Sequence, residues 1–436
     1  MEEEDTSYFL SRLIDYSLSS PSTIDKLPKK LLKNIFVQLP IKSLIYCKCV
    51  CKSFHSIISR DPEFLALQLS RSSPELLVCN HRFNRTILID SFANRARDLE
   101  LVFKEPSASK KKKRKRIPCG MVVLNSCRGL ICVRPCGYSE PLCVFNPFTL
   151  EFTLIPESVK KERTEKFIYG FGYCAISDKY KVLKMMTMLK PCYLNGINPP
   201  LLTTEIYTLG TPYWRRVEDA PMVKYTNYVP TFLNGYLHWM IDEVGTISSH
   251  GYMISFDLNN EKYGQVALPP PLDIGRDTKH MEIAKLGVFE GWLTVFVLNS
   301  NKRLDVWAMK EYGVRESWVR EITLDMSPFS LYWSFPVNYV NNDRKDLVFF
   351  NARNGIFTYK LLERKIVNCI RFIGEWPTDD YQAKALLHVP ILMSLKELVV
   401  GAEVHRIPRS WKRTGDISFP SSPRRRLNLP RIVFSR

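Results

Sequence analysis

The sequence predicts two domains of different class, α plus all-β: a small N-terminal helical module and, behind it, a β-propeller of about six blades. Two observations carry this. Between Ile24 and Leu69 apolar residues recur at helical spacing, whereas from residue 76 to 373 they fall in short aromatic and β-branched runs separated by turn signals. Within that second part a loose repeat of nearly constant length selects a propeller among all-β folds. At 436 residues the chain exceeds one small core, so two domains is the expected count.

Residues 1–23 are polar and serine-rich and read as a flexible lead-in. The helical module is expected over 24–70. Leu31, Ile35 and Leu39 form one apolar stripe, and Leu32 and Phe36 repeat it one position over. Pro28 suits a first helical position, where its missing N–H costs nothing. Pro40 ends that helix, and Ser43 is expected to cap the next, which would carry Leu44, Cys47, Val50 and Cys51 inward. Phe54, Ile57 and Ile58 continue the apolar side, and Asp61-Pro62 reads as cap and first residue of a last turn holding Phe64 and Leu67. Three or four short helices in about 45 residues cannot cover this much apolar surface, so the module should dock onto something. The alternative is a plain helical hairpin packed on the following domain.

From residue 76 to 375 the propeller elements follow. Leu76–Cys79 and Thr86–Asp90 read as the first strands and Leu99–Phe103 as another, with a charged surface loop over 104–118. The repeat then runs as a strand, a polar turn and a second strand. Its copies start at Val144, Ile206, Ile254, Val306 and Phe357, spaced by 62, 48, 52 and 51 residues, and Ile87–Ile89 opens the series. Four-stranded blades repeat every ~40–50 residues. Each unit is preceded by a hairpin with fitting turn chemistry. Asn234-Gly235 lies between Thr231–Leu233 and Tyr236–Trp239, and Arg128-Gly129 and Glu290-Gly291 occupy matching places. A β-sandwich array, the alternative, does not account for spacing this even. Residues 376–436 read as a closing segment and a basic, disordered tail.

Both halves carry a resemblance. Leu27-Pro28, Leu31, Ile35, Leu39 to Leu44, Val50 to Phe54, Ile57-Ile58 and Asp61 to Phe64 resemble an F-box of the plant type. Phe54 stands where that family prefers tryptophan. Lys29 and Lys30 stand where it often has acidic residues, and there they oppose the helix dipole. Asn125 to Cys132, Phe145-Asn146-Pro147, Gly170 to Tyr173, Ser177 to Val182, Glu205-Ile206-Tyr207, Leu233 to Trp239, Ile254 to Asp257 and Trp307 to Gly313 resemble the F-box-associated domain of plant F-box proteins, in the family's order across roughly 120–375.

The resemblance implies a substrate-recognition subunit of an SCF-type cullin-RING ubiquitin ligase. Leu27, Pro28, Leu31, Ile35, Leu39, Pro40, Ile41, Leu44 and Val50 would then bury against a Skp-type adaptor, which joins the chain to a cullin scaffold. The propeller would present a protein target, and catalysis would come from other subunits by proximity.

Charge weighs against a nucleic-acid groove. Of the net +18, +7 sits in Lys110, Lys111, Lys112, Lys113, Arg114, Lys115 and Arg116, and +8 lies between His405 and Arg436. A duplex-binding surface would need that charge spread along a folded face. The 110–116 run reads as a nuclear import signal or as a solvated loop, which leaves nucleus and cytoplasm both open. A propeller adaptor acting without ubiquitin, nuclear or nucleic-acid-associated through this run, is the second reading.

No catalytic residue, cofactor or metal is expected. Cys127, Cys132, Cys136 and Cys143 contain no C-x2-C pair, and no histidine lies between His81 and His238. Cys47, Cys49 and Cys51 alternate along a helical segment, which suits no single metal. His238, beside Trp239, reads as a hydrogen-bonded blade residue. Phosphate-binding and nucleophile-elbow motifs are missing, as are the eight spaced ligands of a RING. No apolar run is long enough to span a bilayer, and the acidic start MEEED lacks the order of a secretory leader, so the 12 cysteines are expected as thiols.

Overall fold

The computed structural model describes residues 27–72, the strands and tight turns between 74 and 373, residues 383–406 and 431–435. Residues 1–26, the basic run at 110–116 and most of the tail after Arg406 lie outside the described residues, and with them the expectations placed there.

Four helices open the described chain: α1 (Lys29–Phe36), α2 (Ile41–Val50), α3 (Lys52–Arg60) and α4 (Pro62–Arg71). Pro28 is the N-cap of α1 rather than its first residue, and its carbonyl accepts from Leu31 N at 2.9 Å and Leu32 N at 3.2 Å. Pro40 plays the same part for α2, so Ser43, expected as a cap, lies inside the helix and is buried. The rigid φ of proline presets the entry of both helices without a side-chain cap. Asp61 caps α4 as expected, its Oδ1 accepting from Glu63 N at 3.0 Å and Phe64 N at 3.1 Å, with Pro62 behind it. Cys51 caps α3 through its sulfur, which accepts from Phe54 N at 3.4 Å.

The described strands form six antiparallel sheets. The first joins β1 (Glu75–Asn80), β2 (Arg85–Asp90) and β3 (Arg95–Leu99) to β25 (Ala383–His388), in the order β25-β1-β2-β3. The second runs β4 (Met121–Cys127), β5 (Leu130–Pro135), β6 (Leu142–Asn146), β7 (Glu151–Ile155) and, at its edge, β26 (His405–Arg406). The third holds β8 (Glu165–Cys174), β9 (Lys179–Met188), β10 (Thr203–Thr208) and β11 (Arg215–Arg216). In the fourth, β12 (Lys224–Tyr225) and β13 (Thr231–Leu233) pair with β14 (Tyr236–Asp242), followed by β15 (Tyr252–Asp257) and β16 (Lys262–Ala267). The fifth is β17 (Met281–Phe289) to β20 (Trp318–Asp325), through β18 (Trp292–Asn299) and β19 (Arg303–Met309). The sixth runs β21 (Phe335–Val337), β22 (Asp346–Asn351), β23 (Gly355–Lys360), β24 (Lys365–Ile373) and β27 (Arg431–Ser435).

Successive sheets pack face to face. Leu142 and Val144 meet Phe171 and Val182; Leu183 and Ile206 meet Trp239 and Phe256; Val266 meets Val295 and Trp318; Phe296 and Val306 meet Leu347 and Phe349. Leading strands neighbour one another, β25 beside β4, β4 beside β8, β13 beside β17, and β21 returns to β25. This is a six-bladed propeller. β25, which follows the sixth blade's β24 in the chain, completes the first blade, so the ring extends past the boundary expected at residue 375. Within the expected tail, β26 and β27 likewise pair at sheet edges.

The repeat found in the sequence marks the third and fourth strands of the blades. Val144, Ile206, Ile254, Val306 and Phe357 lie on β6, β10, β15, β19 and β23, and Ile87–Ile89 on β2. The three hairpins all use positive φ at both turn residues: Arg128 and Gly129 at 42° and 82°, Asn234 and Gly235 at 47° and 88°, Glu290 and Gly291 at 50° and 82°. These are primed two-residue turns, whose twist matches paired strands. A strand runs over 95–99, in register with β2 through Leu88↔Arg97 and Ile89↔Ala96, and all but the first residue of the strand expected at 99–103 lie outside the described residues.

Candidate docking interface

Adjacent residues of α1 face opposite ways. Leu32 and Phe36 are buried, 3% exposed each, while Leu31 and Ile35 keep 50% and 43% of their surface in water. One residue of offset turns a side chain about 100° round the helix, so the two stripes read in the sequence are two faces. The inner one, with Leu44, Phe54, Ile57, Ile58 and Phe64, is continuous with Leu77, Leu88, Phe145 and Phe148 of the first two blades and with Leu392. Phe36 meets Phe54 edge-on at 4.9 Å and Phe64 at 6.4 Å.

The outer face is apolar, and no described residue covers it. It holds Leu31 and Ile35, with Leu27 exposed just before the helix; on α2, Tyr46 and Val50 sit one turn apart and are 71% and 61% exposed. Pro28 and Pro40 are exposed, and Leu39 and Ile41 are half-buried and lean on the inner core. Two expectations need correction. Leu44, expected inward as well as on the docking face, is 2% exposed inside the core, so the inward placement holds and it supports the face without lining it. Val50, expected inward as well as at the face, points out, because six residues place it about 120° round the helix from Leu44. Tyr46 was not singled out from the sequence; its i,i+4 pairing with Val50 is the signal that marks it.

Behind the face, Lys33 staples α1 to the start of α4. Its Nζ lies 2.7 Å from Asp61 Oδ2 and 2.6 Å from Glu63 Oε2. Burial alone would lower the Lys33 ammonium and raise the Asp61 carboxyl; their mutual hydrogen bond and attraction win, so Lys33 is held above and Asp61 below the ordinary value. Lys29 and Lys30 are exposed on the first turn, which carries no acidic residue.

The propeller's own polar clusters are framework. His238 is buried between Thr231 O, 3.1 Å from Nδ1, and the Tyr312 hydroxyl, 2.8 Å from Nε2. Burial lowers its pKa to about 4 and keeps it neutral. Lys181 bridges the third and fourth sheets, donating to Leu258 O at 2.6 Å and Glu261 Oε1 at 2.8 Å, and Arg215 shares the same carboxylate. Cys127, Cys132 and Cys143 are buried thiols, with Cys127 pushed up to about 12 by burial; Cys136 lies outside the described residues. Among the described residues no three His, Cys, Asp or Glu side chains gather as metal ligands.

The helical module sits at one end of the ring. Turns between first and second strands, and between third and fourth, share an end by antiparallel alternation; Phe148, in the β6–β7 turn, joins the helices there.

Comparison with known proteins agrees with both halves. A family model described as the F-box domain matches residues 24–65, and one described as the F-box associated beta propeller domain matches residues 76–394. F-box protein At3g07870 of Arabidopsis thaliana is 27% identical over 92% of this chain and 93% of its own length. F-box protein CPR1 of the same plant is 26% identical over 84% of this chain and 89% of its own, and F-box/kelch-repeat protein At3g23880 is 27% identical over 76% and 90%.

Proposed function

From a chain that belongs to the plant F-box proteins with an F-box associated β-propeller domain, and so to a group whose general role is substrate recognition in SCF complexes, we propose the particular way it works. Leu27, Pro28, Leu31, Ile35, Pro40, Tyr46 and Val50 form the surface that buries against a Skp-type adaptor, with Leu39 and Ile41 at its margin. The observation that carries this is an exposed apolar face, covered by no described residue, on a module whose other face is already spent on the propeller. Apolar side chains this exposed on short helices gain most by transfer into a partner's groove, the helix-in-groove mode.

The adaptor in turn links the chain to a cullin scaffold, and the chain supplies proximity, holding a protein target near a ubiquitin donor carried by another subunit. The target is held at the ring end away from the helices, where adaptor and target do not compete for space. No side chain here is assigned a catalytic role; the buried state of His238 and of the thiols supports framework parts. The basic run at 110–116 serves nuclear import.

The test is binding of purified adaptor to the full chain by calorimetry. Leu27→Ala with Pro28→Ala should abolish it while leaving the propeller melting transition in place. Unchanged binding would sink the docking assignment. A green-fluorescent fusion that stays nuclear after deletion of 110–116 would remove the import reading.

A further inference from the structure

A helical docking module is expected to be complete within its own sequence, but here its core is finished by a segment more than 300 residues away. Between β25 and β26 the chain runs as a strap from Pro390 to Ala402, with a short helix, α5 (Leu395–Leu398), in it. Ile391, Leu392, Met393 and Leu395 are buried. Leu392 belongs to the same apolar cluster as Leu32, Phe36 and Phe64, and Ile391 and Met393 pack with Leu65 and Leu69 of α4.

The strap is bonded on both sides. Toward the helices, Ser394 N donates to Ser59 O at 2.9 Å, and Lys48 Nζ lies 3.4 Å from Leu392 O. Toward the ring, the Asn146 amide donates to Ile391 O at 3.2 Å and Met393 O at 3.3 Å, and Glu151 accepts from Leu395 N at 2.7 Å and from the Ser394 hydroxyl at 3.0 Å. Gly129, at positive φ, leaves room for Ile391; a side chain there would collide with it. The strap issues from β25, the strand that completes the first blade.

We infer that this strap licenses the docking module: α1–α4 hold their adaptor-competent arrangement only once the ring has closed on β25 and the strap is seated between helices and blades. This rests on the docking reading above and adds a condition to it. Four short helices with little internal core are weak alone, and most of their stability must come from what they pack against. Here that is blade and strap together. A chain whose C-terminal part is missing or unseated would therefore carry every docking residue and yet fail to recruit the adaptor, so incomplete receptors would not enter the ligase.

The test uses the full chain with Leu392→Ser and Met393→Ser, compared with the parent and with two controls. Leu347→Ser removes an equally buried leucine from the sixth blade, away from the strap. Leu31→Ala removes an outward docking contact. Amide exchange over 29–71 and calorimetric adaptor affinity are measured for each. The strap variant should raise exchange over α1–α4 at least tenfold and weaken adaptor binding at least tenfold, with exchange over β14–β19 unchanged. Leu347→Ser should leave both helix exchange and adaptor affinity within twofold. Adaptor affinity within twofold of the parent in the strap variant would overturn the inference. So would an equal loss in Leu347→Ser, because the effect would then be general unfolding. A parent chain that binds no adaptor, or a Leu31→Ala chain that binds as the parent does, would instead point to failure of the docking reading.

Discussion

Leu31 and Leu32 are the same side chain on neighbouring residues, and they belong to different machines. Leu32 and its stripe are part of the core that runs from the helices into the first two blades; Leu31 and Ile35 keep about half of their surface in water. Burial of a leucine contributes about 1.5–3 kcal/mol wherever it occurs. The inner stripe has already collected that in folding. The outer stripe retains it, and this uncollected burial is what makes the module a docking device. The offset by one residue separates stability from function on a single helix, which makes the two experimentally separable.

Substitutions along α1 break the comparison most sharply. Phe36→Ala deletes a ring that touches Phe54 and Phe64 edge-on, and should cost about 3–5 kcal/mol of stability in chemical denaturation. Ile35→Ala, one residue away, should stay within about 0.5 kcal/mol of the parent while weakening the adaptor complex. Similar losses in both would mean that the two faces are not distinct.

Next comes the staple behind the faces. Lys33→Met leaves Asp61 short of its partner and should cost about 1.5–3 kcal/mol, the range for hydrogen bonds to charged groups. Glu63 is largely exposed and contributes little of this. The sign with pH follows from the shifts. Asp61 is held below its unfolded value near 4, so its contribution is full above that and fades as pH falls through the folded value. Lys33 is held above its ordinary value, so its part is full below about 10.5 and fades as pH rises through the folded value. The stability gap between parent and Asp61→Asn, measured by urea midpoints, should therefore be wide at neutral pH and shrink on acidification.

The smallest effect belongs to the framework far from both faces. Tyr312→Phe removes the hydroxyl 2.8 Å from His238 Nε2 and should cost about 0.5–1.5 kcal/mol, with adaptor binding unchanged. Because burial holds His238 near 4, below the unfolded value of about 6.5, its neutral state favours the fold above that range. Stability should then fall as pH drops from about 6.5 toward 4, and His238→Gln should flatten that limb in thermal melts.

Much of this was legible in the sequence because it is written in local patterns. The blade repeat follows from strand alternation and from turns such as Asn234-Gly235, whose positive φ almost any fold would have to respect. Both apolar stripes of α1 could be read, but which one faces out depends on where the ring lies, and helical spacing alone does not contain that. Val50 turns out rather than in, and Leu44 lies inward but off the docking face, for the same reason. The strap from Pro390 to Ala402 was illegible as a docking element: Ile391, Leu392 and Met393 look like any short apolar run, and their partners Asn146, Glu151 and Ser59 are hundreds of residues away. Contacts of that range carry no local signature. Proline caps at Pro28 and Pro40 were visible as boundaries, though off by one position in the first case, since N-cap and first turn differ only in ψ.

The measurement that bears most directly on the central claim is a calorimetric titration of purified Skp-type adaptor into the full chain and into Leu31→Asp with Ile35→Asp. These two positions are the most exposed apolar residues of α1, so a charge there is solvated in the free chain and must be desolvated on docking. The account predicts tight binding to the parent, no detectable binding to the variant, and the same thermal transition for both. Equal binding of the two chains, or none by the parent, would contradict it.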